Sequence, residues 1–307
     1  MEDGQRHFEQ AEGWGGLAEA TLRRLGGEPV LESDVLVNRA NLAVSREHLP
    51  EARALLEQAR TIQARVLPPG HPKRARTTFL LGRVMLGLGE RPRAVELLEE
   101  ALKQTEASVG ALHPDMARRH LVLSWSLREM GEYSRALEHA RAAVHIREAL
   151  FGKGQPQVAE SLDEVGMCLL GLKQYEEALK VYEESLAAKR QTLPPGDEQL
   201  QFSYDGVGQA LLGLGRAKEA VEPLRQAVSF TSVPADALAE SGFALARALW
   251  ASGERPEARG VAARARERFA EAGLAPRVAE VDSWLQSLPE EPSRASRPSR
   301  RPARRSP

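Results

Sequence analysis

One alanine returns along this chain at a nearly constant interval, and no other feature restricts the possible folds as much. Ala52, Ala94, Ala136, Ala178 and Ala220 stand 42 residues apart, and Ala258 follows after 38. Self-similarity at a period of this size marks a stack of one supersecondary unit, in which each copy hides its apolar face only against its neighbours. Other columns keep the same register. Twelve residues before the anchor stand Ala40, Gly82, Ser124, Gly166, Gly208 and Ala246, and seven after it Ala59, Ala101, Ala143, Ser185, Ala227 and Ala265. All are small. Thirteen before it the chain has Arg39, Leu81, Leu123, Val165, Val207 and Leu245, apolar in every copy but the first. Two antiparallel helices approach closely only where side chains are small, while larger neighbours fill the remaining volume.

The turns agree with a helix–turn–helix unit. Gly89-Glu-Arg-Pro92, Gly131-Glu-Tyr-Ser134, Gly215-Arg-Ala-Lys218 and Gly253-Glu-Arg-Pro256 separate the two helices of a unit. Glycine ends a helix through a left-handed cap, and proline fits the first turn of the next. Between units lie Pro68-Pro-Gly-His-Pro72, Ala111-Leu-His-Pro114, Gly152-Lys-Gly-Gln-Pro156 and Pro194-Pro-Gly-Asp197, with Pro72, Pro114 and Pro156 in register to open the first helices. The composition suits this reading, with 42% hydrophobic but only 5% aromatic residues, so the core is built mainly from Ala, Leu and Val.

The small, small and alanine columns, with Gly-x-Tyr-x-x-Ala between helices, resemble the tetratricopeptide (TPR) pattern. The unit is longer than the family's usual ~34 residues by roughly one turn per helix. That longer form resembles the repeats of kinesin light chains and the TPR tails of large bacterial Ser/Thr protein kinases, the latter also through Leu25-Gly-Gly-Glu-Pro-Val-Leu-Glu32. The resemblance implies an all-α, right-handed solenoid of about six repeats. Residues 1–30 read as an N-terminal cap or incomplete repeat, 31–274 as the six repeats, 275–288 as a capping helix and 289–307 as a disordered Arg/Pro/Ser-rich tail. The capping helix, expected over Arg277–Leu288, presents Val278, Val281, Leu285 and Leu288 on one face.

The resemblance also implies where a partner binds, because the first helix of each TPR pair lines a concave groove. Carrying over the family's groove columns selects Asn41, Arg76, Phe79, Arg83, Arg118, Trp125 and Arg128 in the N-terminal half. It selects Glu160, Asp163, Met167, Phe202, Asp205, Gln209, Glu240, Phe243, Arg247 and Trp250 in the C-terminal half. Arginines dominate early and acids from Glu160 onward, so such a groove could orient an extended peptide. The alternative is that these are ordinary solvated helix positions. The family's Lys/Asn carboxylate clamp is met only at Asn41, which disfavours chaperone C-terminal tails as ligands.

Catalytic signatures are missing from the sequence. Gly152-Lys153-Gly154 lacks the remainder of a phosphate loop, and there is no kinase set and no Gly-x-Ser-x-Gly elbow. His71 and His113 recur with the repeat. His139 and His145, six apart, do not share a helix face as a zinc pair would. Cys168 sits among apolar residues and reads as an inert thiol, unable to form an internal disulfide. Tyr133, Tyr175 and Tyr182 read as core. The expectation is therefore a non-enzymatic scaffold with no cofactor and no metal.

A net charge of −1 gives no global pull towards nucleic acid or membrane, no apolar stretch is long enough to span a bilayer, and the first residues do not read as a secretory signal. A cytoplasmic protein with a protein or peptide partner, and no small-molecule substrate, follows as the expectation. The tail carries Arg294, Arg297, Arg300, Arg301, Arg304 and Arg305 without an aromatic platform, which supports nucleic-acid or acidic-partner binding only as an alternative. A detached regulatory module related to bacterial Ser/Thr kinases is a further alternative.

Overall fold

The structure is a computed structural model that describes residues 26–230 and 232–289, with isolated positions at 13, 16, 17, 20, 21 and 24. The six tail arginines and most of the N-terminal segment lie outside the described residues. Thirteen complete helices and no strand occur among the described residues. They form six antiparallel pairs and one final helix: α1 (Pro29–Ser45) with α2 (Leu49–Val66), α3 (Pro72–Gly87) with α4 (Arg91–Val109), α5 (Pro114–Glu129) with α6 (Tyr133–Phe151), α7 (Pro156–Gly171) with α8 (Tyr175–Thr192), α9 (Gln199–Gly213) with α10 (Ala217–Ser229), α11 (Ala235–Ser252) with α12 (Arg255–Glu271), then α13 (Ala275–Ser287). Each second helix also packs on the first helix of the next pair, so the chain is one continuous stack.

Local chemistry sets the helix ends. Pro72, Pro114 and Pro156 open α3, α5 and α7, where a missing N–H costs nothing. The recurring histidines before two of these prolines are caps: His71 Nδ1 accepts from the Lys73 amide at 3.2 Å, and His113 Nδ1 from the Asp115 amide at 3.1 Å. Within each pair the turn places one residue in the left-handed region, at Glu47, Gly89, Gly131, Lys173, Gly215 and Gly253. The next amide then reaches back to the preceding helix, as Glu132 N–H does to Leu127 O at 2.9 Å and Gln174 N–H to Leu169 O at 2.9 Å.

The recurring small residues are the floor of the packing. All six anchor alanines have no solvent exposure, and the small column seven residues later is sealed as well. Arg39, the one charged residue in the apolar column, is exposed. The shortened last step falls in α10, which has only 13 residues and carries Pro223 inside it. On the final helix Val281 is fully buried and Val278 and Leu285 are half-buried, while Leu288 stands just past its end.

One pair of repeats is fitted around a single ring. Tyr182 on α8, 2% exposed, lies between Gly166 of its own repeat and Gly206 of the next. A Cβ built on Gly206 would come within 2.3 Å of that ring, and one on Gly166 within 2.5 Å. The repeat-equivalents of Tyr182 include Leu56, Leu98 and Leu224, and those of Gly206 include Leu80 and Val122. The larger ring has therefore been matched by loss of the facing side chain. Gly206→Ala should cost roughly 1–3 kcal/mol by overpacking. The same change beside Tyr182→Leu should cost less, so a denaturation double-mutant cycle would show coupling, and strict additivity would refute this packing.

Candidate functional site

Successive first helices approach one another directly, α5 with α7, α7 with α9 and α9 with α11. The family resemblance implies that first helices of this kind line the inner side of the stack. The expected groove residues all fall on one stripe of these helices, at positions 18, 15, 11 and 8 before the anchor alanine. These are three, four and three residues apart and so share a helix face.

The stripe is not uniformly open. Arg76, Arg83, Arg118, Trp125, Glu160, Phe202 and Arg247 are exposed, while Asn41, Arg128, Met167, Asp205, Gln209, Glu240 and Trp250 are half-buried. Phe79, Asp163 and Phe243 are buried, which corrects their reading as groove contacts. All three stand 15 before the anchor, where neighbouring first helices close over the side chain. Phe79 lies beneath Arg118 and Arg119, whose guanidinium carbons are 5.5 and 4.5 Å from its ring centre. Phe243 meets the edge of Trp284 from α13 at a centroid separation of 5.6 Å. Trp284 also packs on Trp250, which lies under Arg255 and Arg259.

The expected division into a basic and an acidic half is corrected by side chains from outside the stripe. Glu160 pairs with Arg147 of α6 at 2.7 Å, and Glu240 with Arg277 of α13. Asp163 pairs with the buried ammonium of Lys189 on α8, and Ser185 and Ser203 donate to the same carboxylate at 2.6 and 2.9 Å. Burial pushes the Asp163 carboxyl up, and Lys189 and the two serines pull it back. Arg128 reaches the buried Glu164 at 3.4 Å, which also accepts from Ser124 Oγ at 2.9 Å. Cys168 completes this cluster, and burial followed by the Glu164 charge pushes its thiol up to about 11, well away from a reactive thiolate.

On the N-terminal side Arg118 pairs with Asp115 at 2.9 Å. Arg76 and Arg83 form no ion pair among the described residues, nor does Arg247. The uncompensated charge of the stripe is thus mainly cationic. Asp205 is its counterpart, a carboxylate without a cation among the described residues. Gln209 donates to Oδ2, and Oδ1 is sealed from solvent with no partner. Burial pushes this carboxyl up to about 6. Among the described residues no group of three or more His, Cys, Asp and Glu side chains is placed to hold a metal ion, and no helix is long and apolar enough to cross a membrane.

These elements define an all-α helical repeat solenoid. Two family profiles described as tetratricopeptide repeat match the chain, one at residues 31–107, 126–191 and 157–231 and the other at 79–150. The chain belongs to the tetratricopeptide repeat family. Among solved structures it is similar to a kinesin light chain-type protein of Podosopora anserina with nearly identical TPR-like repeats, at 25% identity and a TM-score of 0.59, over 66% of this chain and 95% of that one. BtubC (BKLC) of P. vanneervenii shares the fold at 16% identity and a TM-score of 0.55, over 94% of this chain and 95% of that one. The apo form of RapI shares it at 15% identity and a TM-score of 0.67, over 87% and 73% of the two chains. A comparison with curated protein sequences returns no match.

Asp205 gives a direct pH test. Its folded pKa is raised, so between about 6 and the ordinary carboxylate range the folded chain holds a proton that the unfolded chain has lost. The group therefore favours folding at the low end of that window, and this contribution is lost as pH rises through about 6. Asp205→Asn should raise the melting temperature at pH 7.5 and change it little at pH 4.5. An equal loss at both values would contradict the assignment.

Proposed function

We propose that this chain is a non-enzymatic scaffold that holds an extended acidic segment of a protein partner along the inner face of its first helices. Proteins of this repeat family bind protein or peptide partners, and one observation carries the finer reading here. Arg83 and Trp125 occupy the same column in adjacent repeats; both are exposed, and Arg76 stands two turns before Arg83 on α3 without an ion pair among the described residues. An exposed indole and an uncompensated guanidinium group in the same column of adjacent repeats offer an anchor and a bidentate carboxylate partner. The other exposed aromatic of the stripe, Phe202 at 49%, extends the contact line towards the C-terminal repeats.

The buried Lys189–Asp163 pair and the half-buried Arg128 with its partner Glu164 are assigned to holding neighbouring repeats in register, not to the partner. Trp125→Ala and Arg83→Glu should each abolish partner capture while leaving the helical melting curve nearly unchanged, since both side chains project from the packed stack. Capture that survives both substitutions would show that the inner face is not the binding surface.

A further inference from the structure

The crevice between the second and third repeats holds a cation that the packing does not call for. Arg119 on α5 stands 17 before the anchor, outside the stripe, where the other repeats have Val35, Thr77, Ser161, Ser203 and Ser241. None of these is charged, and none is larger than valine. Arg119 is nevertheless only 4% exposed, and its Nε and Nη1 are sealed from solvent with no hydrogen-bond partner. Among the described residues no ion pair reaches it, and its guanidinium carbon lies 4.5 Å from the centre of the Phe79 ring. Nη2 is the one nitrogen of the group open to solvent.

The equivalent crevice between repeats four and five holds a complete set of partners. Ser203, in the column of Arg119, and Ser185 donate to Asp163 on the preceding first helix, and the Lys189 ammonium pairs with that carboxylate. At the junction of repeats two and three the positions of Ser203, Ser185, Asp163 and Lys189 are taken by Arg119, Ala101, Phe79 and Thr105. There the cation is present and the carboxylate is not, because a phenyl ring stands in its column. A buried arginine without a partner is costly, and a carboxylate supplied from outside the chain removes that cost.

The surroundings favour an anion. Arg118 brings a second guanidinium carbon to 5.5 Å from the same ring centre. Arg76 and Arg83 stand three before and four after Phe79, on one face of α3. Burial lowers the Arg119 guanidinium to about 10, with Asp115 opposing and Arg118 adding to the effect, so the group stays charged at neutral pH. Asp115 itself is taken up by Arg118 at 2.9 Å. A charge-assisted bond to a guanidinium held largely out of water is stronger than one on an open surface.

Given the inner-face function proposed above, on which this depends, we propose that Arg119 receives the carboxylate of an aspartate or glutamate side chain of the partner segment, bound by Nη2 against the Phe79 ring. The test is a fluorescence anisotropy titration of labelled hexaglutamate with the full chain at pH 7.5 and low salt, comparing the wild type, Arg119→Met and Arg83→Glu. The wild type should bind in a saturable step. Arg119→Met, which keeps a long stem on Phe79 and removes the charge, should weaken that step at least tenfold. The same substitution should leave the melting temperature of the free chain unchanged or raise it, because an uncompensated buried charge is removed. Hexaglutamate should raise the melting temperature of the wild type but not of this variant. An arginine held there only for packing would give the reverse, an earlier melt with binding intact, and would overturn the proposal. Binding unchanged in Arg119→Met but lost in Arg83→Glu would overturn the Arg119 site and leave the acidic-segment reading standing. No binding by the wild type, or equal binding by all three proteins, would remove both. Should Arg119→Met melt much earlier and also lose binding, Arg119→Lys decides, because it keeps the charge and loses the planar fork. It should bind at least threefold more weakly than the wild type, and binding at the wild-type level would overturn the site.

Discussion

The close contact between paired helices, made where alanine, glycine and serine meet, is the constraint on which the rest of the molecule depends. The anchor alanines are completely buried in all six pairs. Because the helices meet at small residues, the larger side chains around them interdigitate, and each pair presents a defined apolar face to the next. A stack built this way has nearest-neighbour energetics, so disturbance of one interface acts on both repeats that share it and is not confined to a single unit. The Tyr182 ring between Gly166 and Gly206 shows how tightly one such interface is specified: a residue that is bulky in one repeat is admitted only because glycines face it.

The middle of the stack departs from this apolar scheme. Lys189, Asp163, Ser185 and Ser203 form one buried polar cluster, and Arg128, Glu164, Ser124 and Cys168 another, each joining two consecutive repeats. A buried ion pair adds little net stability compared with an apolar substitute, but an unpaired member is costly. Such clusters therefore penalise wrong pairings of repeats more than they strengthen the right one. They also consume the carboxylates that would otherwise line the inner face. The exposed stripe that remains is mainly cationic and aromatic, with Arg76, Arg83 and Trp125 on α3 and α5 and Phe202 and Arg247 further on.

Much of this was legible in the residues. The 42-residue register, the prolines opening first helices and the stripe on their faces follow from period and spacing. The state of each stripe residue did not. Glu160, Asp163 and Glu240 read as free acids because their partners Arg147, Lys189 and Arg277 stand on other helices, between 13 and 37 residues away in sequence. Phe79 and Phe243 read as groove residues because helical spacing reports a face but not how closely the neighbouring helix covers it. Trp284 escaped the capping-helix reading because it lies beside, and not on, the line of Val278, Val281 and Leu285. The unpartnered Arg119 was missed for a similar reason. It stands next to Arg118 but off the stripe, and only a comparison of its column across repeats isolates it.

The claim at the centre of this account is that partners engage the inner face of the first helices. Site-specific photo-crosslinking tests it most directly, with a photoreactive side chain placed at Arg83 on the inner stripe or at Arg141 on the exposed side of α6. A crosslinked partner should form from position 83 and be competed away by an unmodified acidic peptide, with no such product from position 141. A competed crosslink from position 141 and none from position 83 would contradict that claim.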